Sequence, residues 1–369
     1  MIILFGASGD IHKKKVYPGL YDLFKSNICD KVKYKFKVIG IGRSNFDNIS
    51  FHKLINKSLE KNWIDNDGHN DKYNYDENFL QNFSYIQGYY NDIKTYLSLF
   101  SELQKYNGDD KLIIYCGVPD YVSINIIECI KISGIYDKYS VSFLVEKPFG
   151  SNLETYIEYQ NRIKNYINEQ DFKLIDHYRC KSSIKNMKSI NELNSTILRN
   201  NTLKLITITL FETENVEHRL EYFDRVGILN DVFQSHIMSI IDKLISKEYQ
   251  YLKLPQNDGV NRGQYINYGG SKDTETFVQI RLNWKDIQIY IEFGKKMQLS
   301  KKNIRFISDS ENIIELEVKS DKNEYFTMFN SEIIDTKNDY YLSDIDNRLF
   351  WKITNSINDL IVKKDMMIY

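Results

Sequence analysis

The chain has 369 residues, 42% hydrophobic and 27% charged, with a formal net charge of −1. That length suits two domains with sizeable cores, and the balanced charge offers no polyanion-binding surface, so nucleic acid is not an expected partner. Four scattered cysteines (Cys29, Cys116, Cys129, Cys180) without a CxxC pair read as reduced thiols in a cytoplasmic setting, and no apolar run reaches the roughly 18 residues of a membrane span.

The opening MIILFGASGD lacks a basic leader region and turns at once into Gly-Ser-Gly. It reads as a first strand, Ile2–Phe5, entering a loop. A helix is expected at Lys13–Lys25, then strands at Lys35–Ile41, Lys111–Gly117 and Val141–Val145. Their continuous apolar character (IILF, LIIYC, VSFLV) suits strands buried on both faces, and the helical stretches between them indicate βαβ units with a parallel sheet. The polar stretch Asp65–Asn78 alternates acids like a calcium loop, but its glycine is misplaced and no closing Glu follows, so it reads as a solvated loop. Beyond residue 170 the pattern changes. Leu203–Phe211, Thr276–Leu282, Ile287–Phe293, Asn303–Ile307 and Ile313–Val318 follow one another without helices, predicting a large, mostly antiparallel sheet. One long helix, Val226 to Ser246, sits among them, and after Ser300 the recognisable helix is Leu349–Leu360. The boundary near 170 gives domains 1–170 and 171–369.

Gly6-Ala7-Ser8-Gly9-Asp10 lies between the first strand and the first helix. A dinucleotide pyrophosphate binds such a turn because backbone N–H groups and a helix N-terminus face its oxygens, and glycine permits the close approach. GxxG alone is equally a plain glycine-rich turn. Arg43 and Ser44 follow the second strand; an acid there would suit the ribose of NAD, whereas Arg suits the 2′-phosphate of NADP. A surface arginine is the alternative.

GASGDIHKKKVYPGL resembles the opening motif of glucose-6-phosphate dehydrogenases, GASGDLAKKKIYP in many members. More landmarks follow in the family's order: LVEKPFG at Leu144–Gly150, IDHYRCK at Ile175–Lys181, EYFDRVGILNDVFQSH at Glu221–His236, RGQY at Arg262–Tyr265, TETF at Thr274–Phe277 and FGKK ending at Lys296. The resemblance implies a Rossmann domain followed by an α+β domain, and oxidation of glucose 6-phosphate to 6-phospho-gluconolactone with NADP. It implies roles residue by residue. His236 matches the base that deprotonates the C1 hydroxyl, and Asp176 the carboxylate that orients it. His177, Tyr178 and Lys181 match the residues on the 6-phosphate. Glu212, Asp231 and Lys295 match those on the sugar hydroxyls. Lys15 and Lys147 match lysines contacting sugar or cofactor, and Arg219 matches one near the cofactor, beside Gly6, Ser8, Gly9, Asp10, Arg43 and Ser44. Pro148 matches a cis proline, and no metal is implied.

Each residue alone has a bland reading. His236 lies on the apolar stripe Leu229, Phe233, Ile240, Leu244, where a core histidine is ordinary; Asp176 could be a helix cap. Departures from the family pattern are His12 in place of a small residue, Leu174 in place of a common Arg, Cys180 in place of Gly, and His218-Arg219-Leu220-Glu221 in place of a glycine-rich stretch. The alternatives are a related sugar oxidoreductase with another substrate, or an NADP-binding homologue without turnover. A homodimer or homotetramer is the family's habit. The short segment after Ser300 predicts one NADP per chain, with Lys301, Lys302 and Arg305 read as a solvated edge.

Overall fold

The structure is a computed structural model that describes residues 1–67, 76–106, 111–147, 149–196, 202–320, 323–334 and 340–369. Among them fifteen strands are numbered in chain order. These are β1 (Ile2–Phe5), β2 (Val38–Gly42), β3 (Phe83–Gln87), β4 (Leu112–Cys116), β5 (Val141–Glu146), β6 (Phe172–Ile175), β7 (Leu203–Phe211) and β8 (Leu252–Lys253). There follow β9 (Val260–Gln264), β10 (Phe277–Trp284), β11 (Ile287–Gly294), β12 (Lys301–Ser308), β13 (Ile313–Glu317), β14 (Tyr341–Leu342) and β15 (Met366–Ile368). Most of the polar stretch (68–75) and Pro148 lie outside the described residues.

Two compact units emerge. The first comprises Met1–Gly150, Glu154–Cys180 and Lys322–Ser343; the second takes Ser151–Leu153, Lys181–Asp321 and Asp344–Tyr369. The division therefore differs from a single cut at residue 170: the chain re-enters the first unit near residue 322.

The first unit holds a seven-stranded sheet in the order β14-β6-β5-β4-β1-β2-β3. Six strands are parallel, and β14 adds antiparallel to β6, Leu342 facing Leu174. That register buries Leu174 against an apolar neighbour, where a charged residue would be costly. Strand order reverses between β1 and β4, the switch point where open α/β sheets bind ligands. Every residue of β1 is buried.

Among the elements that the sequence reading does not contain is a helix at Glu324–Ile333, where Leu349–Leu360 is the helix expected after Ser300. Asn323 caps it by accepting from Tyr325 N–H at 2.8 Å. It is buried nearly all round, so it lacks the apolar stripe by which a surface helix is recognised. It packs against the helix Tyr17–Lys25, where an added Cβ on Gly19 would stand 2.8 Å from Phe326 N. Its Glu332 is buried between Lys111, at 3.1 Å, and Lys173.

The second unit is built on an eight-stranded sheet in the order β13-β12-β7-β11-β10-β9-β15, with β8 on β10. It is mostly antiparallel, as expected; β7–β11 and β9–β15 are the parallel pairs. The expected helix from Val226 to Ser246 is instead three segments, Leu220–Ile228, Leu229–Ile237 and Met238–Ile245. Gly227, at φ 68° and ψ 165°, breaks the first from the second. Segments two and three are buried on most sides. Phe233 stacks on Phe293 of β11 at 6.2 Å, and Gln234 donates to Asn347 of the helix Asp344–Ile361 at 2.9 Å.

Candidate active site

In the first unit the chain leaves β1 through Gly6, whose φ of 82° is the left-handed region that glycine enters freely. A Cβ there would stand 2.6 Å from the Gly117 carbonyl oxygen, so strands β1 and β4 end too close together for any side chain. Gly9 N–H donates to Gly6 O at 2.7 Å and closes the turn, and the helix opens at Asp10. Tyr17 donates to Ala7 O and ties that helix back to the turn. Ser8 Oγ and Ser44 Oγ are 3.0 Å apart, joining the glycine turn to the loop after β2. Arg43 is exposed at the end of β2, and Lys15 is half-exposed, 3.9 Å from Glu324. A tight turn at a helix N-terminus, flanked by these two cations, fits an anionic dinucleotide. Asp10 is exposed at 3.4 Å from Lys13.

His12 stands beneath this turn, fully buried, with neither ring nitrogen hydrogen-bonded. Burial lowers its pKa to about 3, so the imidazole is neutral. Its ring lies edge-on to Tyr115 at 5.3 Å, and a Cβ on Gly117 would collide with its Cε1. His12 fits where a small residue was expected because Gly117 vacates the space.

Glu146, which closes β5, is half-buried and accepts from Tyr115 OH at 3.0 Å and Tyr325 OH at 2.7 Å. Burial raises its pKa, and these hydrogen bonds oppose the rise. Lys147 follows it, half-buried. β6 then delivers Asp176, fully buried, whose Oδ1 accepts from Tyr178 N–H at 3.0 Å. The cap bond that the residue type suggested is therefore present, folding His177–Cys180 into a 3₁₀ turn. His177 is half-buried with its ring 5.2 Å from the buried Tyr178. Cys180 takes the place of glycine without needing positive φ, and burial pushes its thiol far up, which leaves it inert.

In the second unit, register gathers one charged cluster. Phe211 pairs with Gly294 on one side and with Lys301 on the other. Glu212, the next residue, accepts from Gly294's neighbour Lys295 through Oε2, and Lys302 stands 3.2 Å from its Oε1. Lys295 is buried, also 3.6 Å from Asp231, and Arg219 is 3.5 Å from the same Asp231 oxygen. Burial would raise the Glu212 carboxyl, but Lys295 and Lys302 outweigh it and hold it at about 2. Arg219, matched to the cofactor by resemblance, thus meets Asp231, which the same resemblance matches to the sugar hydroxyls. Lys181 is half-buried ahead of the helical turn Ser182–Lys185.

Asp231 and His236, both buried, share the segment Leu229–Ile237, which is a π-helix. Five residues at about 100° each would set them roughly 140° apart on an α-helix. A π-helix closes i→i+5 hydrogen bonds, so this pair stands one turn apart. The segment begins where Leu229 N–H donates to the buried Glu275 at 3.0 Å. Gly227 leaves room for that carboxylate; a Cβ would meet Glu275 Oε1 at 2.5 Å. Burial raises the Glu275 pKa, opposed by the Leu229 N–H.

Sequence reasoning missed Gly227, Glu275 and Lys302. An isolated glycine inside a helical pattern was the available sign of the first. Lys302 alternates with the buried Ile304 and Phe306 on β12, so its strand face marked it as inward. A pocket of about 750 Å³ opens among Phe211, Tyr265, Lys296, Leu299, Lys301 and Tyr369, where β15 brings the tail back.

A family model described as the glucose-6-phosphate dehydrogenase NAD-binding domain matches residues 3–186, and its C-terminal counterpart matches 186–253. The chain belongs to the glucose-6-phosphate dehydrogenase family. It is 29% identical to glucose-6-phosphate 1-dehydrogenase of Cyberlindnera jadinii, over 82% of this chain and 68% of that one. It is 26% identical to the Borreliella burgdorferi enzyme of that name, over 91% and 74%. The fold matches a glucose-6-phosphate dehydrogenase solved with glucose 6-phosphate, at TM-score 0.81 and 21% identity over 100% of this chain and 94% of that one. The Mycobacterium avium enzyme matches at 0.79 and 17%, over 100% and 93%.

Proposed function

We propose that the chain oxidises D-glucose 6-phosphate to 6-phospho-D-glucono-1,5-lactone with NADP, as a cytoplasmic homodimer or homotetramer. The observation that carries this reading is the Glu212–Lys295–Asp231 cluster, with His236 on the same π-helical segment as Asp231. A carboxylate pair locked by a buried lysine is rigid and hydrogen-bonding, which suits the hydroxyls of a sugar.

Within this reading each residue has one task. Glu212 and Asp231 accept hydrogen bonds from the sugar hydroxyls, and Lys295 fixes both carboxylates. His177, Tyr178 and Lys181 take the 6-phosphate, which needs donors and positive charge. His236 accepts the C1 hydroxyl proton, and Asp176 stabilises the resulting imidazolium. Lys147 contacts sugar and cofactor. Gly6, Ser8, Gly9, Asp10, Lys15, Ser44 and Arg219 serve the cofactor, with Arg43 on the 2′-phosphate that separates NADP from NAD. When bound, the dinucleotide supplies the two-electron acceptor.

The test is absorbance at the reduced-nicotinamide band with glucose 6-phosphate, against NADP and against NAD. Turnover that needs the 6-phosphate is expected. Equal turnover of free glucose points to another sugar oxidoreductase, and cofactor binding without turnover points to a non-catalytic homologue.

A further inference from the structure

Resting on the reaction just proposed, we infer that Lys302 is a positioning residue for the sugar, holding the second oxygen of Glu212 so that its carboxylate plane is fixed. The family landmarks end before this residue, and its sequence context is a run of lysines on a strand.

The geometry separates Lys302 from its neighbours. Lys301 is exposed and pairs at the Phe211 position, whereas Lys302 is part-buried on the face shared with Ile304 and Phe306. Its Nζ reaches Glu212 Oε1 while Lys295 occupies Oε2, so each carboxylate oxygen has its own cation. A carboxylate held at one oxygen can swing about its last torsion, which is broad and roughly two-fold. Held at both, it presents fixed lone pairs to a hydroxyl. On Asp231, by contrast, Lys295 and Arg219 both reach the same oxygen, Oδ2. Three cations thus face two carboxylates, and the surplus positive charge keeps Glu212 ionised as it loses water to a bound sugar.

Lys302→Met and Lys302→Arg answer the question in the full-length chain. The methionine variant should raise KM for glucose 6-phosphate about tenfold, the scale of one lost charge-assisted hydrogen bond. Its kcat should stay within about twofold, since the proton acceptor is untouched. Arginine should restore most of the affinity. An unchanged KM in Lys302→Met, alongside normal wild-type turnover, overturns the inference; so does equal loss of kcat in both variants, which would mark a folding defect. If the wild type oxidises no sugar phosphate, the proposed reaction itself falls. Lys302 is then judged by a carbon-13 carboxyl titration: Glu212 should titrate at higher pH in Lys302→Met, and an unshifted curve ends the argument.

Discussion

Replacing His12 by Leu should make the protein less sensitive to acid. The side chain is fully buried with both ring nitrogens unpartnered, and its pKa of about 3 lies well below the 6.5 of an exposed histidine. Between those values the unfolded chain binds a proton there that the folded chain refuses. Unfolding therefore takes up protons, and stability falls as the pH drops through the window from 6.5 towards 3. Each pH unit fully inside it costs about 1.4 kcal/mol, so moving from pH 7 to pH 5 removes about 2 kcal/mol on account of this one group. Leucine is of similar bulk, can lie against Gly117 and cannot titrate. Urea unfolding followed by circular dichroism at pH 7, 6 and 5 reads the difference directly. The variant's advantage should widen by about 2 kcal/mol over that range, on top of a gain at pH 7 of about 1–3 kcal/mol for removing a buried unpaired polar group. Two curves falling in parallel would refute the reasoning, since they would mean that folded His12 titrates like the unfolded one.

Gly227→Ala should cost about 2–5 kcal/mol, combining a backbone conformation that is essentially glycine's alone with displacement of Glu275 from Leu229 N–H; a change under about 0.5 kcal/mol by denaturant melt would deny that the kink is strained without glycine. His236→Asn should lower turnover by about two to four orders of magnitude while dinucleotide binding, followed by fluorescence, persists; near-normal turnover would remove it as the base. Arg43→Ala should raise KM for NADP far more than for NAD, and equal weakening of both would assign Arg43 to folding or to a shared part of the cofactor.

Much of this was legible. Apolar runs at Ile2–Phe5, Leu112–Cys116 and Val141–Val145 mark strands buried on both faces, and each forms one. Period-two alternation in Phe277–Trp284 and Ile287–Gly294 locates a sheet with one apolar face. The charged cluster was legible only as separate residues, because no local pattern states that Phe211 pairs with both Gly294 and Lys301. Lys302 looked like solvated charge for that reason. The helix Glu324–Ile333 was hidden differently: its acids Glu324 and Glu332 are buried beside lysines, so hydrophobicity alone under-reports its burial. The break at Gly227 follows from a partner 48 residues on, Glu275, which a local window does not contain.

The return of residues 323–334 and 340–343 to the first unit bears on how the chain matures at the ribosome. Domains ordinarily fold from the N-terminus as they emerge, yet here the hydroxyl of Tyr325 that meets Glu146, and the strand that pairs with β6, arrive only after most of the second sheet has been synthesised. A nascent chain paused near residue 320 would carry the nucleotide-binding strands complete but leave the face of the helix Tyr17–Lys25 uncovered and Glu146 short of a donor. The apolar surface stays exposed from the completion of β6 at Ile175 until Glu324 is made, roughly 150 residues of translation and of order ten seconds or more, and this is the species a holding chaperone would meet.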